Sequence, residues 1–134
     1  MLISISRYLA IVLGILTPLG ETIRRWHTWR ENPPAFFDDY IIGAFLLLGA
    51  WRAGKNVNTG RPILAAAWAF LCGMAYVSFF GQLEENNLGI ADPAPISSGA
   101  VAAVKGVGLA IGVICLVITL WPASALEKDK PKSA

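Results

Sequence analysis

Long apolar segments separated by short polar segments are the dominant pattern of this chain. Two of them, Pro62 to Leu83 and Gly106 to Leu126, contain no charged residue. A helix needs about 20 mostly apolar residues to cross the roughly 30 Å hydrocarbon core of a bilayer. Both segments reach that length, so we expect each to form a transmembrane helix.

Two further apolar segments are shorter, from Tyr8 to Gly20 and from Tyr40 to Trp51. For these segments to cross completely, Arg7 and Arg52 must extend their long stems toward the membrane interface. Segments of this length also occur as re-entrant or interfacial helices. We expect full crossings, and the sequence leaves the other possibility open.

Turn-forming residues divide the chain into four predicted helices, so the expected fold class is an all-α integral membrane protein. Its architecture would be an antiparallel bundle of four transmembrane helices. The predicted helices lie at about 4–26, 38–57, 61–85 and 97–121. They form one domain, residues 1–126. The segment 127–134 is too polar to pack, and we expect a disordered cytoplasmic tail there.

The placement of lysine and arginine predicts the orientation in the membrane. With four crossings, both termini share one side with the connection between the second and third helices. That side holds Arg7, Arg52, Lys55, Arg61, Lys128, Lys130 and Lys132. The other side holds Arg24, Arg25 and Arg30. Because positive residues favour the cytoplasmic side, we expect cytoplasmic termini in a cell membrane of the bacterial inner type.

Composition narrows the possible functions. The chain is 55% hydrophobic and only 15% charged, with a net charge of +2, and its basic residues form no dense patch, so nucleic-acid binding is not expected. Cys72 and Cys115 lie within apolar segments, which is not typical of a disulfide framework. His27 is the only histidine, and no metal or catalytic spacing is present. We therefore assign no catalytic residue, metal ligand or cofactor.

Lys105 is the strongest single candidate for a substrate or ion pathway. It lies about two turns into the fourth predicted helix, among apolar residues. An ionisable group inside a membrane span is costly and indicates function. Glu21, Glu84 and Glu85 are the expected charge partners, because they come from helix ends at a similar depth. Alternatively, the flexible stem of Lys105 carries its ammonium group to the interface.

Small residues at helical spacing predict close helix packing. Ala65, Ala69 and Gly73 repeat every four residues in the third predicted helix, and Gly108 and Gly112 do so in the fourth. Small side chains let helix backbones approach closely in lipid. The contacts would lie within one chain, between identical chains in a homo-oligomer, or with a different subunit.

The leading functional hypothesis from the sequence is a non-enzymatic accessory or structural subunit that packs against partner chains in the lipid bilayer. One alternative is a small oligomeric transporter or channel that uses Lys105 and the carboxylates of the outer side. Another alternative is a membrane-embedded enzyme acting on lipid or quinone. The apolar composition and the scarcity of polar groups at mid-membrane depth favour the first hypothesis.

Overall fold

The computed structural model describes residues 1–121, and these residues form four α-helices. The helices are α1 (Leu2–Arg25), α2 (Pro33–Lys55), α3 (Val57–Asn87) and α4 (Ser98–Leu120). Each of them is long and apolar enough to cross a membrane. The end of the predicted domain, 122–126, and the predicted tail, 127–134, lie outside the described residues.

The second helix begins at Pro33, earlier than the predicted start near Asp38. The side chain of Asn32 caps the helix by accepting a hydrogen bond of 3.4 Å from the backbone N–H of Ala35. Proline is favoured in the first helical turn, where its missing N–H removes no helical hydrogen bond. The proline pair therefore starts a helix here, and does not mark a linker.

A single residue, Asn56, separates α2 from α3. Its side-chain oxygen accepts hydrogen bonds of 3.0 and 3.3 Å from two backbone N–H groups in the first turn of α3. Because of this cap, α3 begins at Val57, before the predicted start at Arg61. The corner is so tight that a Cβ atom on Gly60 would lie 2.1 Å from the backbone nitrogen of Ala53. Only glycine fits at that point.

The helices pack in a ring, in which α1 contacts α2, α2 contacts α3, α3 contacts α4, and α4 contacts α1. Leu46, Leu64 and Trp68 are fully buried at the centre of the core. The backbones of α1 and α2 approach closely where a Cβ atom on Gly43 would lie 2.5 Å from the carbonyl oxygen of Gly14. Glycine thus brings together a helix pair for which the sequence predicted no small-residue contact.

The outward faces of all four helices carry large apolar side chains. Ile15, Leu48, Val77 and Val117, one from each helix, are exposed by 54, 47, 70 and 51%. A contiguous apolar surface of this extent is unusual for a soluble protein and is typical of an interaction or membrane surface. Lipid chains solvate such side chains without the free-energy penalty that water imposes.

Candidate functional site

A buried polar cluster joins three helices at one end of the ring, which we call the Ser6 end. The indole Nε1–H of Trp68 donates to Ser6 Oγ at 2.8 Å, and the Ser6 and Thr119 hydroxyl oxygens are 2.6 Å apart. The Thr119 hydroxyl donates to the carbonyl oxygen of Cys115 at 2.6 Å. Each side-chain donor in this series of hydrogen bonds has an acceptor. The cluster therefore links α1, α3 and α4, and its three side-chain donors are not available to a ligand.

Two arginines at the Ser6 end also have structural partners. Arg7 Nε donates to the carbonyl oxygen of Ala50 at 3.1 Å, near the C-terminal end of α2. Arg61 donates to the carbonyl oxygens of Thr119 and Trp121 at the C-terminal end of α4. Cations are stabilised at helix C-termini, where carbonyl groups lack helical partners. These two side chains therefore hold helices together.

An ion-pair cluster lies at the opposite end of the ring, which we call the Arg24 end. Arg24 binds the Asp92 carboxylate with two nitrogens, at 3.0 and 2.6 Å, and contacts Glu21 Oε2 at 3.2 Å. Arg25 Nε lies 2.9 Å from Glu21 Oε1, but the orientation is not that of a hydrogen bond. Glu21 is thus paired with arginines of its own helix, and its carboxylate is not paired with Lys105.

Asp92 anchors the connection between α3 and α4. Its carboxylate accepts a 2.8 Å hydrogen bond from the Ala94 backbone N–H, and its own N–H donates to Ser98 Oγ at 3.0 Å. Burial alone raises the pKa of Asp92, but the hydrogen bonds from Arg24 and Ala94 outweigh it and hold the pKa below its ordinary value of 3.8. The ionised carboxylate therefore ties this connection to α1.

Lys105 has amide and carbonyl partners in place of the predicted carboxylates. Its Nζ donates to Gln82 Oε1 at 2.8 Å and to the carbonyl oxygen of Ser78 at 3.5 Å. Within residues 1–121, no carboxylate oxygen lies within 4.0 Å of the Lys105 ammonium. Its positive charge is half-buried and is not neutralised by direct contact.

Gln82 is the site residue that sequence reasoning missed. Its side chain is 1% exposed, and among the described residues its Nε2 donor has no acceptor. A buried donor without a partner costs about 1–3 kcal/mol, so the group is expected to have a use. The available signal was a lone amide near the end of the uncharged segment Pro62 to Leu83.

Between the helices, toward the Arg24 end, lies a cavity of about 710 Å³. Apolar side chains, among them Leu71, Met74 and Ile111, line its deep part. Charged and amide side chains line its other end, namely Glu21, Arg24, Arg25, Asp38, Asp39, Gln82, Glu85 and Lys105. Ligand pockets typically measure about 300–1,000 Å³ and combine an apolar wall with a few polar groups. This cavity has both properties.

The cavity opens sideways between α1 and α4. Leu16 and Ile23 of α1 and Val104 and Val107 of α4 line it, yet they are exposed by 51, 64, 66 and 60%. Residues that belong both to a cavity wall and to the outer surface mark an opening. An apolar molecule could therefore enter the cavity from the side, between these two helices.

The predicted packing residues divide into two groups. Ala65 is buried, and a Cβ atom on Gly112 would lie 2.6 Å from a Leu71 methyl carbon, so both pack within the chain. Ala69 and Gly73 face outward, and a Cβ atom on Gly73 would have no described residue within 4 Å.

Gly108 differs from both groups because it lines the cavity, where an added Cβ atom has open space. Glu84 is exposed and does not line the cavity, unlike Glu85 and Glu21. In the part of the chain that the structure describes, no three histidine, cysteine or acidic side chains converge as metal ligands would. The structure thus brings together Lys105, Glu21 and Glu85, and leaves Glu84 apart.

Comparisons with known proteins add no functional information. No protein-family model, no curated protein and no solved structure matches this chain. Inferences about its function therefore rest on the cavity and on the polar groups at its end.

Proposed function

We propose that this protein is a non-enzymatic integral membrane protein that binds an amphiphilic molecule in the cavity between its helices. The observation that carries this proposal is one cavity with an apolar deep part and a polar end. The apolar chain of the ligand lies near Leu71 and Ile111, and its polar group lies near Lys105. The sideways opening provides access from the bilayer without passage through water.

Binding is better supported than passage of a substrate through a single chain. The cavity walls end before the Ser6 cluster, since none of Ser6, Trp68 and Thr119 lines them. That cluster is buried, and its donors are satisfied. A polar solute would have to disrupt these hydrogen bonds to cross, whereas a membrane-soluble ligand enters and leaves sideways.

The helices in this proposal form an antiparallel bundle that crosses a bacterial inner (cell) membrane, with both termini in the cytoplasm. Four apolar helices of membrane length and their exposed apolar faces support the crossing. Basic residues support the orientation. Arg7, Arg52, Lys55 and Arg61 lie on the proposed cytoplasmic side, and Arg24, Arg25 and Arg30 lie on the other.

Cysteine accessibility tests this orientation. In a background with Cys72→Ala and Cys115→Ala, we expect a membrane-impermeant maleimide added outside intact cells to label Thr28→Cys. The same reagent should label Asn58→Cys only after the cells are permeabilised. Labelling of Asn58→Cys in intact cells would contradict the orientation, and equal labelling of both positions would contradict the crossings.

Two matched glycine substitutions test the cavity. Gly108→Phe fills cavity space, whereas Gly73→Phe adds the same side chain on the outward face of α3. After gentle extraction, native mass spectrometry should find a bound amphiphile on the wild type and on Gly73→Phe. We expect the amount of amphiphile bound to Gly108→Phe to be at least tenfold lower, while circular dichroism shows an unchanged helix content. An unchanged amount on Gly108→Phe would contradict the proposal.

A second candidate function is that of an accessory subunit, and the outward face of α3 favours it. Ala69 and Gly73 lie there beside exposed Tyr76, and no other part of residues 1–121 packs against Gly73. Such a face allows close approach of another helix in lipid. If a second chain binds there, Gly73→Phe should remove it from the extracted complex and Gly108→Phe should not. A complex that survives Gly73→Phe would exclude this contact.

A further inference from the structure

We propose that the ligand is a phospholipid with a primary-amine head group, such as phosphatidylethanolamine, and that Lys105 and Gln82 bind its phosphate. This inference rests on the proposed function, because it identifies the chemistry of the molecule in the same cavity. Two observations within residues 1–121 lead to it. The first is a buried amide donor without an acceptor, beside an ammonium that no carboxylate contacts. The second is a set of acids on the cavity wall that form no ion pair.

The donors lie side by side on the cavity wall. Lys105 Nζ contacts Gln82 Oε1 at 2.8 Å, and the Nε2 of the same amide group has no acceptor among residues 1–121. Gln82 is 1% exposed, so bulk water does not satisfy this donor. A negatively charged oxygen placed between the ammonium and the amide would accept from both, and hydrogen bonds of this charge-assisted type are strong. The phosphate of a lipid head group supplies such oxygens.

The charges at the same end require a cation in the ligand as well. Arg24 and Arg25 are neutralised by Glu21 and Asp92, which leaves Lys105 as the one further base that residues 1–121 contribute to the cavity wall. The acids that remain on the cavity wall are Asp38, Asp39 and Glu85. A purely anionic head group would be repelled by these carboxylates, because like charges in a partly dehydrated site interact strongly. A head group with both a phosphate and an ammonium complements the whole end of the cavity.

A primary ammonium fits better than a quaternary one. Carboxylates accept hydrogen bonds from the N–H groups of an ethanolamine, whereas choline has none to donate. Quaternary ammonium groups are typically recognised by aromatic cages. Within the described part of the chain, no aromatic side chain lines the cavity. The lining therefore favours phosphoethanolamine over phosphocholine.

Titration of the delipidated full chain with three lipids of identical acyl chains tests the inference. The lipids are phosphatidylethanolamine, phosphatidylglycerol and phosphatidylcholine, and native mass spectrometry counts the bound molecules. We expect phosphatidylethanolamine to bind at least tenfold more tightly than the other two. Tighter binding of phosphatidylglycerol would overturn the requirement for a cation. Equal binding of phosphatidylcholine would overturn the role of the primary amine.

Single substitutions test the two donors. Lys105→Met and Gln82→Leu should each weaken phosphatidylethanolamine binding by about tenfold or more. Lys55→Met is the matched control, because Lys55 lies against the Trp51 ring, 4.5 Å from its centroid, far from the cavity. Should binding survive both donor substitutions but not Gly108→Phe, the head-group assignment fails while the proposed function stands. If binding also survives Gly108→Phe, both fail.

Discussion

Arg24 and Asp92 form the contact that fastens the connection between α3 and α4 to α1. Three nitrogen–oxygen distances of 2.6–3.2 Å join the two side chains, and the Asp92 side chain is fully buried. A hydrogen bond to a charged group contributes about 1.5–3 kcal/mol to the free energy of unfolding. We expect Asp92→Asn to lower the free energy of unfolding by about that amount at pH 7, measured by thermal denaturation in detergent.

The pH dependence of the same variant provides a sharper check. The folded pKa of Asp92 lies below its ordinary value of 3.8, so its stabilising effect is present above that value. The effect is lost as the pH falls through the folded pKa, and the difference between wild type and Asp92→Asn should shrink there. Glu84→Gln, at an exposed acid, should show no such difference. A constant difference from pH 7 to the acid limit would contradict this account.

Residue-level reasoning from sequence selected Lys105 as a candidate, and that role stays a prediction, but the sequence did not indicate which side chains Lys105 contacts. A charged residue inside an apolar segment is visible because it breaks the pattern. Its partner was expected among acids, whereas the structure pairs it with Gln82 and a backbone carbonyl. Which side chains of α3 face Lys105 depends on the rotation of α3 about its own axis, and no local sequence signal specifies that rotation.

At the scale of the helices, apolar length predicted four helices, and the structure contains four within residues 1–121. The boundaries depend on capping chemistry. Asn32 and Asn56 start helices earlier than the change in hydropathy indicated. A cap can lie outside the apolar segment, because the first helical turn satisfies its hydrogen bonds through polar side chains and does not need to be apolar.

Helix pairing was less accessible from the sequence than helix existence. Small residues predicted close contacts for α3 and α4, but α1 and α2 also approach closely, at Gly14 and Gly43. Glycines predict a helix contact from the sequence only when they repeat at helical spacing, and Gly14 and Gly43 are single glycines in different helices. The contact between them joins residues far apart in the chain, so it becomes visible only once the helices are packed.

At the scale of the whole molecule, the cavity results from the way the ring of helices is held at its two ends. At the Ser6 end, Ser6 and Thr119 draw α1 and α4 together. At the Arg24 end, contact between α1 and the connection before α4 passes through Arg24 and Asp92. Between these two points the helices leave about 710 Å³ unfilled. The volume of this cavity depends on how the four helices pack, so it could not be predicted from the sequence of its lining residues.

The most direct measurement of the central claim is photo-crosslinking of a phosphatidylethanolamine that carries a diazirine in one acyl chain. The full chain would be reconstituted with this lipid, irradiated and mapped by peptide mass spectrometry. Leu71 is only 4% exposed, so lipid on the outer surface has little access to it, whereas a chain inside the cavity contacts it.

We predict adducts on the cavity wall at Leu71, Met74 and Ile111, and we expect Gly108→Phe to remove them while Gly73→Phe leaves them in place. Adducts confined to outward residues such as Val113, Ile114 and Val117 would contradict the account, because lipid would then only surround the protein.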